Sequence, residues 1–361
     1  MAATRNPSRA NPQRQSGLVR PGIAAAQLPV VELDARTGYD FLISVCSECG
    51  EMEDLLAEDR RWLEESRAAL RAEVGKDGIV ACTAFVSEIG RMLVGRPEIR
   101  SARNAVDAID ALSDQELSEV MLGELLEDAD FGAVTRRAVD GDTEAFKDLQ
   151  ARLESSKGYA VFTRPIGDLA PAARRIAHFW LSRYEKIEVR IARMLERDVA
   201  GRRGDNIAGD PMGFIERATN GVRVVPEQRI RRIVLAPNYF GRPYNTLTKV
   251  GDVQLVCYPI ADSSLGSADR LTPPNSTVRL YRALGDESRL RILKLLAERD
   301  RYVTEIAHEL ELSKPTILHH LAVLRSAGLV TITEQGNMTY YSLRHDRAEE
   351  AGVELRAFLA H

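Results

Sequence analysis

A short stretch near the C-terminus carries polar, basic and imidazole side chains whose spacing suits non-covalent recognition of an anionic partner. Ser313 precedes Lys314 and Pro315, and a proline suits the first turn of a helix because its missing N–H has no partner to lose there. Ser313 as N-cap leaves backbone N–H groups near the helix start, which can hold a phosphate. The side chains predicted on the outward side are Lys314, Thr316, His319, His320 and Arg325. The two basic side chains suit phosphate contacts, whereas the hydroxyl and the imidazoles suit base edges.

The residues around this stretch predict the helices that hold it. A short amphipathic helix is marked by Val278, Tyr281 and Leu284. Asp286 caps a second helix, and Thr304 is predicted to cap a third over 305–310. A turn over 311–313 leads to the fourth helix, which runs to about residue 326 and is ended by Gly328. The third and fourth helices therefore have the spacing of a helix-turn-helix.

Two β-rich runs follow the fourth helix. They cover 329–333 and 338–343 and are separated by the turn Glu334-Gln-Gly-Asn337. Such a pattern predicts a β-hairpin. A helix-turn-helix followed by a hairpin is a winged helix, and Asn337 at the tip of the wing joins the candidate DNA-contacting residues.

Four motifs in this region resemble the ArsR/SmtB family of repressors. They are Leu280-Tyr-Arg-Ala-Leu-Gly-Asp-Glu-Ser-Arg-Leu-Arg-Ile-Leu293, Leu312-Ser-Lys-Pro-Thr-Ile-Leu-His-His-Leu321, Leu324-Arg-Ser-Ala-Gly-Leu-Val330 and Tyr340-Tyr-Ser-Leu343. The resemblance implies a homodimer, paired through the first and last helices, that binds a palindromic operator in double-stranded DNA. The chain has apolar residues suited to that pairing: Val278, Tyr281, Leu284, Ala351, Leu355, Phe358 and Leu359. The region before the motifs resembles the long helical extension of some family members.

The chain departs from the family's pattern at the wing and at the metal sites. Family wings often carry Arg or Lys, whereas this one has Glu334, Gln335 and Asn337, so we expect weak attraction to phosphate. Metal-sensing members place cysteines at the start of the third helix, where Tyr302 and Thr304 cannot form a thiolate site. The last helix offers suitable metal ligands without the family's spacing: His345, Asp346, Glu349 and His361. We therefore expect neither a metal nor another cofactor.

The pattern from Tyr39 to about residue 200 is helical. Ser113 and Glu116 form a predicted capping box, and Asp168 followed by Pro171 opens a long helix that runs to about Val199. A buried stripe is predicted along it: Ile176, Trp180, Tyr184, Ile187, Ile191 and Leu195. A basic stripe adjoins it: Arg183, Lys186, Arg190, Arg193 and Arg197. We favour pairing of this basic stripe with acidic residues of 48–65 over contact with an anionic ligand or DNA.

The chain divides into four segments in this interpretation. Residues 1–27 are rich in Arg, Pro and Ser and predict a disordered basic tail. Residues 28–262 form a helical N-terminal domain with a small sheet, whose predicted strands are Val222–Val225, Ile230–Ala236 and Val253–Tyr258. Residues 263–275 are a linker, and 276–361 are the winged helix. The predicted fold class is mainly α with small β elements.

The amino-acid composition limits the classes of protein to which the chain can belong. The 361 residues are 44% hydrophobic and 28% charged, and no apolar run approaches the ~18 residues of a membrane span. We expect a cytoplasmic protein without membrane contact. The net charge is −4, and 276–346 holds 10 Lys and Arg against 9 Asp and Glu, so a DNA footprint must come from a few well-placed groups. Cys46 and Cys49 have CxxC spacing but are predicted to be buried thiols rather than a metal or redox site.

These observations leave three functional hypotheses. The first is a homodimeric repressor whose operator affinity changes when a small-molecule effector binds the N-terminal domain. Its aromatic residues can line a pocket or form core: Phe179, Trp180, Tyr184, Tyr239, Phe240 and Tyr244. The second is an enzyme that the winged helix targets to DNA; the common catalytic motifs are absent and His178 is the only histidine before His308, so we expect no enzyme. The third is a protein-docking domain, which the sequence does not separate from the first.

Overall fold

The computed structural model describes residues 28–45, 50–155, 166–205, 207–266, 271–335 and 338–360. The predicted tail over 1–27 lies outside them, as do Cys46, Cys49, Asn337 and His361.

The elements of the N-terminal region are β1 (Val30–Leu33), α1 (Thr37–Val45), α2 (Ala57–Val94), α3 (Ala102–Asp110), α4 (Asp114–Met121), α5 (Gly123–Glu127), α6 (Gly132–Val139), α7 (Thr143–Ser155), α8 (Leu169–Gly201), α9 (Pro211–Ala218), β2 (Arg232–Asn238), β3 (Thr246–Val250) and β4 (Val253–Pro259). Those of the C-terminal region are α10 (Asn275–Leu284), α11 (Glu287–Glu298), β5 (Arg301–Tyr302), α12 (Val303–Leu310), α13 (Lys314–Ser326), β6 (Val330–Gln335), β7 (Met338–Leu343) and α14 (His345–Ala360). None of the described helices is long and apolar enough to pass through a bilayer.

The N-terminal sheet has the strand order β1-β2-β4-β3. β2 runs parallel to both β1 and β4, and β3 is antiparallel to β4. β2 and β4 lie within two residues of their predicted positions because both are buried, β-branched runs. The sequence did not predict β1 or β3, whose residues are mostly half-buried or exposed and form no long apolar run.

The prediction of a strand over Val222–Val225 was wrong. This segment is extended but belongs to neither β-sheet; Val222 alone forms a parallel bridge, with Ile332 of β6. The helix α9 lies just before this segment, and the sequence did not predict it. Asp210 caps α9 by accepting a hydrogen bond of 3.0 Å from the Gly213 backbone N–H, and Pro211 occupies its first turn. The extended segment therefore leaves α9 and reaches the wing.

The long helix α8 lies against the core of the N-terminal region. Most of its predicted stripe is buried, with Ile187 half-buried. Trp180 is fully buried, donates a 2.6 Å hydrogen bond to Ser44 and makes an edge contact with Trp62 at 5.8 Å between ring centres. Trp180, Tyr184, Tyr239 and Phe240 belong to one hydrophobic core. The capping box of Ser113 and Glu116 at the start of α4 is confirmed.

Buried carboxylates tie the helices to the sheet. Asp40 on α1 accepts hydrogen bonds from the backbone N–H groups of Tyr239 (2.5 Å) and Phe240 (3.1 Å) and from the Tyr184 hydroxyl (2.9 Å). Burial raises the pKa of Asp40 to about 6. Asp59 on α2 accepts from Arg190 at 2.8 Å, so the predicted pairing of the basic stripe with acidic residues is confirmed for Arg190.

The C-terminal region is a winged helix with its own core. Its three-stranded sheet has the order β5-β7-β6 and packs with α10 to α13 around a second hydrophobic cluster. The predicted fold class is confirmed: mainly α with small β elements, a sheet in the N-terminal region and a winged helix at the C-terminus. The prediction that Thr304 caps the third helix was wrong, because α12 begins at Val303 with Tyr302 as its N-cap. Pairing of Tyr302 with Tyr340 in the β5–β7 ladder sets that boundary.

Candidate nucleic-acid interface

The helix-turn-helix is built from α12 and α13. Ala307 and Leu310 of α12 pack in one cluster with Ile317, Leu321 and Leu324 of α13. Between the helices, Glu311 adopts a left-handed conformation with φ of 56°, and the Leu312 N–H bonds back to the Ala307 carbonyl at 3.1 Å. The buried side of α13 is thereby fixed, and its opposite side faces outward.

The start of α13 has the features of an anion-binding helix terminus. The Ser313 hydroxyl accepts a hydrogen bond from the Thr316 N–H at 3.3 Å and lies 2.7 Å from the Thr316 hydroxyl. Pro315 occupies the first turn. Ser313, Lys314 and Thr316 are all exposed, so their polar groups face solvent at the positive end of the helix dipole.

The middle of α13 presents one predicted side chain and one that the sequence analysis missed. His319 is exposed. Leu318 beside it is 49% exposed. Its position, three and four residues after Pro315 and Lys314, was the signal that could have identified it. An apolar side chain on this surface can contact a thymine methyl group.

The side chain of His320 lies in a different environment from that of His319. Its side chain is 13% exposed, and its Nδ1 is 3.8 Å from the carboxylate of Asp286, the N-cap of α11. The hydrogen bond from the Arg289 backbone N–H, together with the nearby charges of Arg289 and His320, lowers the pKa of Asp286. His320 therefore faces α11 rather than open solvent.

Arg325 is half-buried near the end of α13. Its positive charge acts on Tyr244 of the N-terminal region and on Tyr341 of β7; burial is the larger effect and raises the pKa of both phenols. Arg325 therefore lies where the N-terminal region meets the helix-turn-helix, away from Ser313 at the opposite end of α13. Asn337, the remaining predicted contact, lies outside the described residues.

The N-terminal region contacts the base of the wing. Asn220 accepts a 3.1 Å hydrogen bond from Arg344, which follows β7, and Val222 bridges Ile332 of β6. Gly221, with φ of 112°, lies between these contacts, and a β-carbon there would be 3.0 Å from the Arg344 side chain. A residue larger than glycine would therefore push the two regions apart.

A second junction joins the N-terminal region to α10. Arg279 forms an ion pair with Asp54, and their side chains are 15% and 3% exposed. Burial lowers the pKa of Arg279 to about 10. The neighbouring pair, Arg282 and Glu53 at 2.6 Å, is far more exposed. The first helix of the winged helix is therefore held by charges of the 3₁₀ turn Met52–Asp54.

The candidate metal ligands do not form a cluster among the described residues. No group of three His, Cys, Asp or Glu side chains among them is placed to hold a metal ion. Asp346 pairs with Arg344 at 2.9 Å, and Cys257 is fully buried, which raises the pKa of its thiol. His178 pairs with Asp110 at 2.9 Å on an exposed helix face.

Comparison with known proteins identifies relatives of the winged helix. The family described as "Bacterial regulatory protein, arsR family" matches residues 286–331, which cover α11 to α13 and the first residues of β6. An uncharacterized HTH-type transcriptional regulator of Methanocaldococcus jannaschii is 43% identical over 72 residues, which are 20% of this chain and 81% of that protein. The transcriptional repressor SdpR of Bacillus subtilis is 38% identical over 64 residues, 18% of this chain and 71% of that protein. These relatives are regulators, in agreement with the prediction that the chain is not an enzyme.

One further match covers a smaller share of its relative, and another concerns a solved structure. The arsenic resistance transcriptional regulator ArsR1 of Pseudomonas putida is 42% identical over 74 residues, and the match spans 20% of this chain and 55% of that protein. A homodimeric winged helix-turn-helix DNA-binding domain from Mycobacterium bovis, solved by NMR, is 31% identical, with 27% of this chain and 91% of that chain covered and a TM-score of 0.22. The similarity in all these proteins concerns about a quarter of the chain or less.

Proposed function

Since the chain belongs to the arsR family of bacterial regulatory proteins, which are DNA-binding transcriptional regulators, we propose that it is a homodimeric repressor that binds a palindromic operator. The observation that carries the proposal is the exposed start of α13. There Ser313, Lys314 and Thr316 are exposed together at a capped helix terminus on the second helix of a helix-turn-helix.

The contacts with DNA divide along α13. Ser313 and Lys314 bind phosphate, since a helix N-terminus and an ammonium group both favour an anion. Thr316 and His319 face base edges in the major groove, with Leu318 beside them for a thymine methyl group. His320 and Arg325 are less exposed, and we propose that they orient α13 against α11 and Tyr244 as well as approaching DNA. Asn337 at the wing tip remains a proposed contact.

Apolar side chains on α10 and α14 support the homodimer. The two helices contact each other in one chain, where the Tyr281 hydroxyl donates to the Ala351 carbonyl at 2.9 Å. Several of their large apolar side chains are nevertheless exposed: Val278, Tyr281, Val353, Leu355 and Leu359. A second copy that covers this face would remove it from water and place two α13 helices in successive major grooves, about 10 bp apart.

Control of DNA binding through the N-terminal region is supported by its contacts with the winged helix. The pair of Asp54 and Arg279 holds α10, which is a proposed dimer helix, and Val222 bridges the wing strand β6. A signal that prefers one arrangement of these contacts changes the spacing of the two α13 helices and thus operator affinity. The segment boundaries at 262 and 276 belong to this proposal.

Selection of operators from a random DNA library with the full chain tests the proposal. We expect a short inverted repeat whose binding weakens as salt rises, because phosphate contacts release counterions. The double substitution Thr316→Ala/His319→Ala should lower affinity for that repeat by about 10-fold or more, because each specific interaction with a base edge contributes roughly 1–3 kcal/mol. The matched control is His178→Ala on α8, an exposed histidine in the N-terminal region that should leave affinity unchanged.

Two results would contradict the proposal. Absence of any enriched sequence at low salt would make the winged helix a docking module rather than a DNA reader. An enriched sequence bound equally well by the double variant would place recognition outside α13. Light scattering of Leu355→Glu/Leu359→Glu tests the dimer: we expect monomers, and a dimer of unchanged stability would place the subunit interface elsewhere.

A further inference from the structure

A cleft of about 460 Å³ lies where the N-terminal sheet meets the wing. Its walls come from α2, the extended segment 222–227, the strands β3 and β4, and β6 of the wing. The volume falls in the range of roughly 300–1,000 Å³ that is typical of small-molecule sites. Because Ile332 contributes to the lining, the cleft is bounded by both regions of the chain.

One wall of the cleft is apolar and accessible. Val225 is 51% exposed and Leu247 is 43% exposed, and both line it together with Val222 and Ile332. Large apolar side chains that share one concave surface favour an apolar group that covers them. The wall therefore suits an aliphatic or small aromatic body.

Gln254 on β4 supplies a polar group in the same cleft. The residue is 6% exposed and lines the cleft. Its primary amide has two donors and an acceptor. Gln254 lies opposite Lys249 of β3, which is an edge strand of the sheet. Its amide therefore suits a ligand group that carries both a donor and an acceptor.

The charged side chains of the cleft are already paired. Lys249 lies 2.5 Å from Glu227, and Arg223 lies 3.0 Å from Glu216. Arg91 is held by Glu88 and by Glu127. A charged ligand would have to break one of these pairs or lose its water without compensation, whereas an uncharged ligand would not.

We propose that this cleft binds an uncharged small molecule. Its amide-like donor–acceptor group contacts Gln254, and its apolar body contacts Val225 and Leu247. A ligand here touches Ile332 of the wing and Val222, which bridges it, so binding favours the arrangement in which the two regions are joined. The effect on operator affinity rests on the proposed function, but binding to the cleft does not.

Methyl NMR of the full chain, labelled at Ile, Leu and Val, tests the site directly. The probes are hexanamide and N-butylacetamide, with hexanoate as the charged analogue. We expect saturable shifts of the Ile332 and Leu247 methyl signals with the amides and at least tenfold weaker binding of hexanoate. Gln254→Leu should weaken hexanamide binding at least tenfold, whereas Gln115→Leu on α4, which removes the same amide far from the cleft, should not.

Lack of a saturable shift with either amide overturns the proposal, and so does equal binding by Gln254→Leu. If Gln254→Leu does not fold, Leu247→Glu takes its place, because this exposed position tolerates a charge and the substitution should abolish hexanamide binding. Operator titration with and without saturating hexanamide then tests the coupling. A changed operator Kd supports it, an unchanged Kd at saturation overturns it, and loss of all operator binding without probe counts against the DNA-binding proposal alone.

Discussion

The two regions of the molecule use polar side chains in different ways. In the N-terminal region, Asp40, Asp59 and Asp198 are each at most 3% exposed. Asp198 accepts from the Tyr258 hydroxyl and the Ala261 N–H at 2.9 and 2.8 Å, and it pairs with Arg202 at 2.8 Å. On α13, in contrast, Lys314 and His319 are exposed.

This difference separates groups that hold the fold from groups that can meet another molecule. A buried carboxylate with three or four partners is costly to disturb and has no capacity left for a ligand. An exposed hydroxyl or ammonium group gives up only water when it binds DNA. The buried pair of Asp54 and Arg279 lies between the two regions, so it can transmit a change from the first to the second.

The largest expected effect lies in the buried N-terminal core. Trp180→Ala should lower the free energy of unfolding by about 3–5 kcal/mol, because it opens a cavity and removes the hydrogen bond that the Ser44 hydroxyl accepts from the indole. Chemical denaturation measures this loss. The matched control is Phe179→Ala, a half-buried neighbour on α8 that should cost clearly less. Equal losses would mean that the aromatic core is not centred on Trp180.

Asp40 makes the same core sensitive to pH. Its folded pKa of about 6 exceeds the ordinary value of 3.8, so between these pH values the folded chain keeps a proton that the unfolded chain has lost. Stability relative to Asp40→Asn should therefore fall by about 3 kcal/mol as pH rises from about 4 to 6, and then level off. Urea titrations of both proteins at several pH values measure this, and a constant difference would contradict the assigned pKa.

The junction between the two regions should contribute less to the free energy of unfolding than the buried core does. A double-mutant cycle of Asp54→Asn and Arg279→Gln is expected to give about 1–3 kcal/mol in the free energy of unfolding, because the pair is largely buried. The same cycle on Glu53 and Arg282 is the control; this pair is exposed and should give less than about 1 kcal/mol. Equal couplings would show that burial does not strengthen the first pair.

The smallest effect is expected at the exposed start of α13. Lys314→Ala should reduce the slope of log Kd against the logarithm of the salt concentration by about 1. It should weaken binding to all DNA sequences alike. Fluorescence anisotropy with the selected operator and an unrelated duplex at several salt concentrations measures both quantities. A loss confined to the operator would assign Lys314 to base recognition instead of phosphate binding.

The winged helix was largely predictable because its signals are local. Ser313 caps α13, Pro315 fits its first turn and Gly328 follows its end with φ of 73°. Each of these residues acts on backbone within a few positions, so one stretch of sequence contains both the cause and the effect. The buried stripe along α8 was equally predictable from the spacing of its apolar residues, and Trp180 and Tyr184 are buried as predicted.

Long-range pairing accounts for what the sequence analysis missed. β1 pairs with β2 across some 200 residues, and Val222 finds its partner in β6 rather than in the N-terminal sheet. Thr304 looks like a cap, but the pairing of Tyr302 with Tyr340 starts α12 two residues earlier than such a cap allows. His319 and His320 are identical in type and adjacent in sequence, yet one faces solvent and the other faces Asp286. Residue type and local spacing therefore specify helices, caps and turns, whereas the packing of distant elements selects which polar groups remain free to bind a partner.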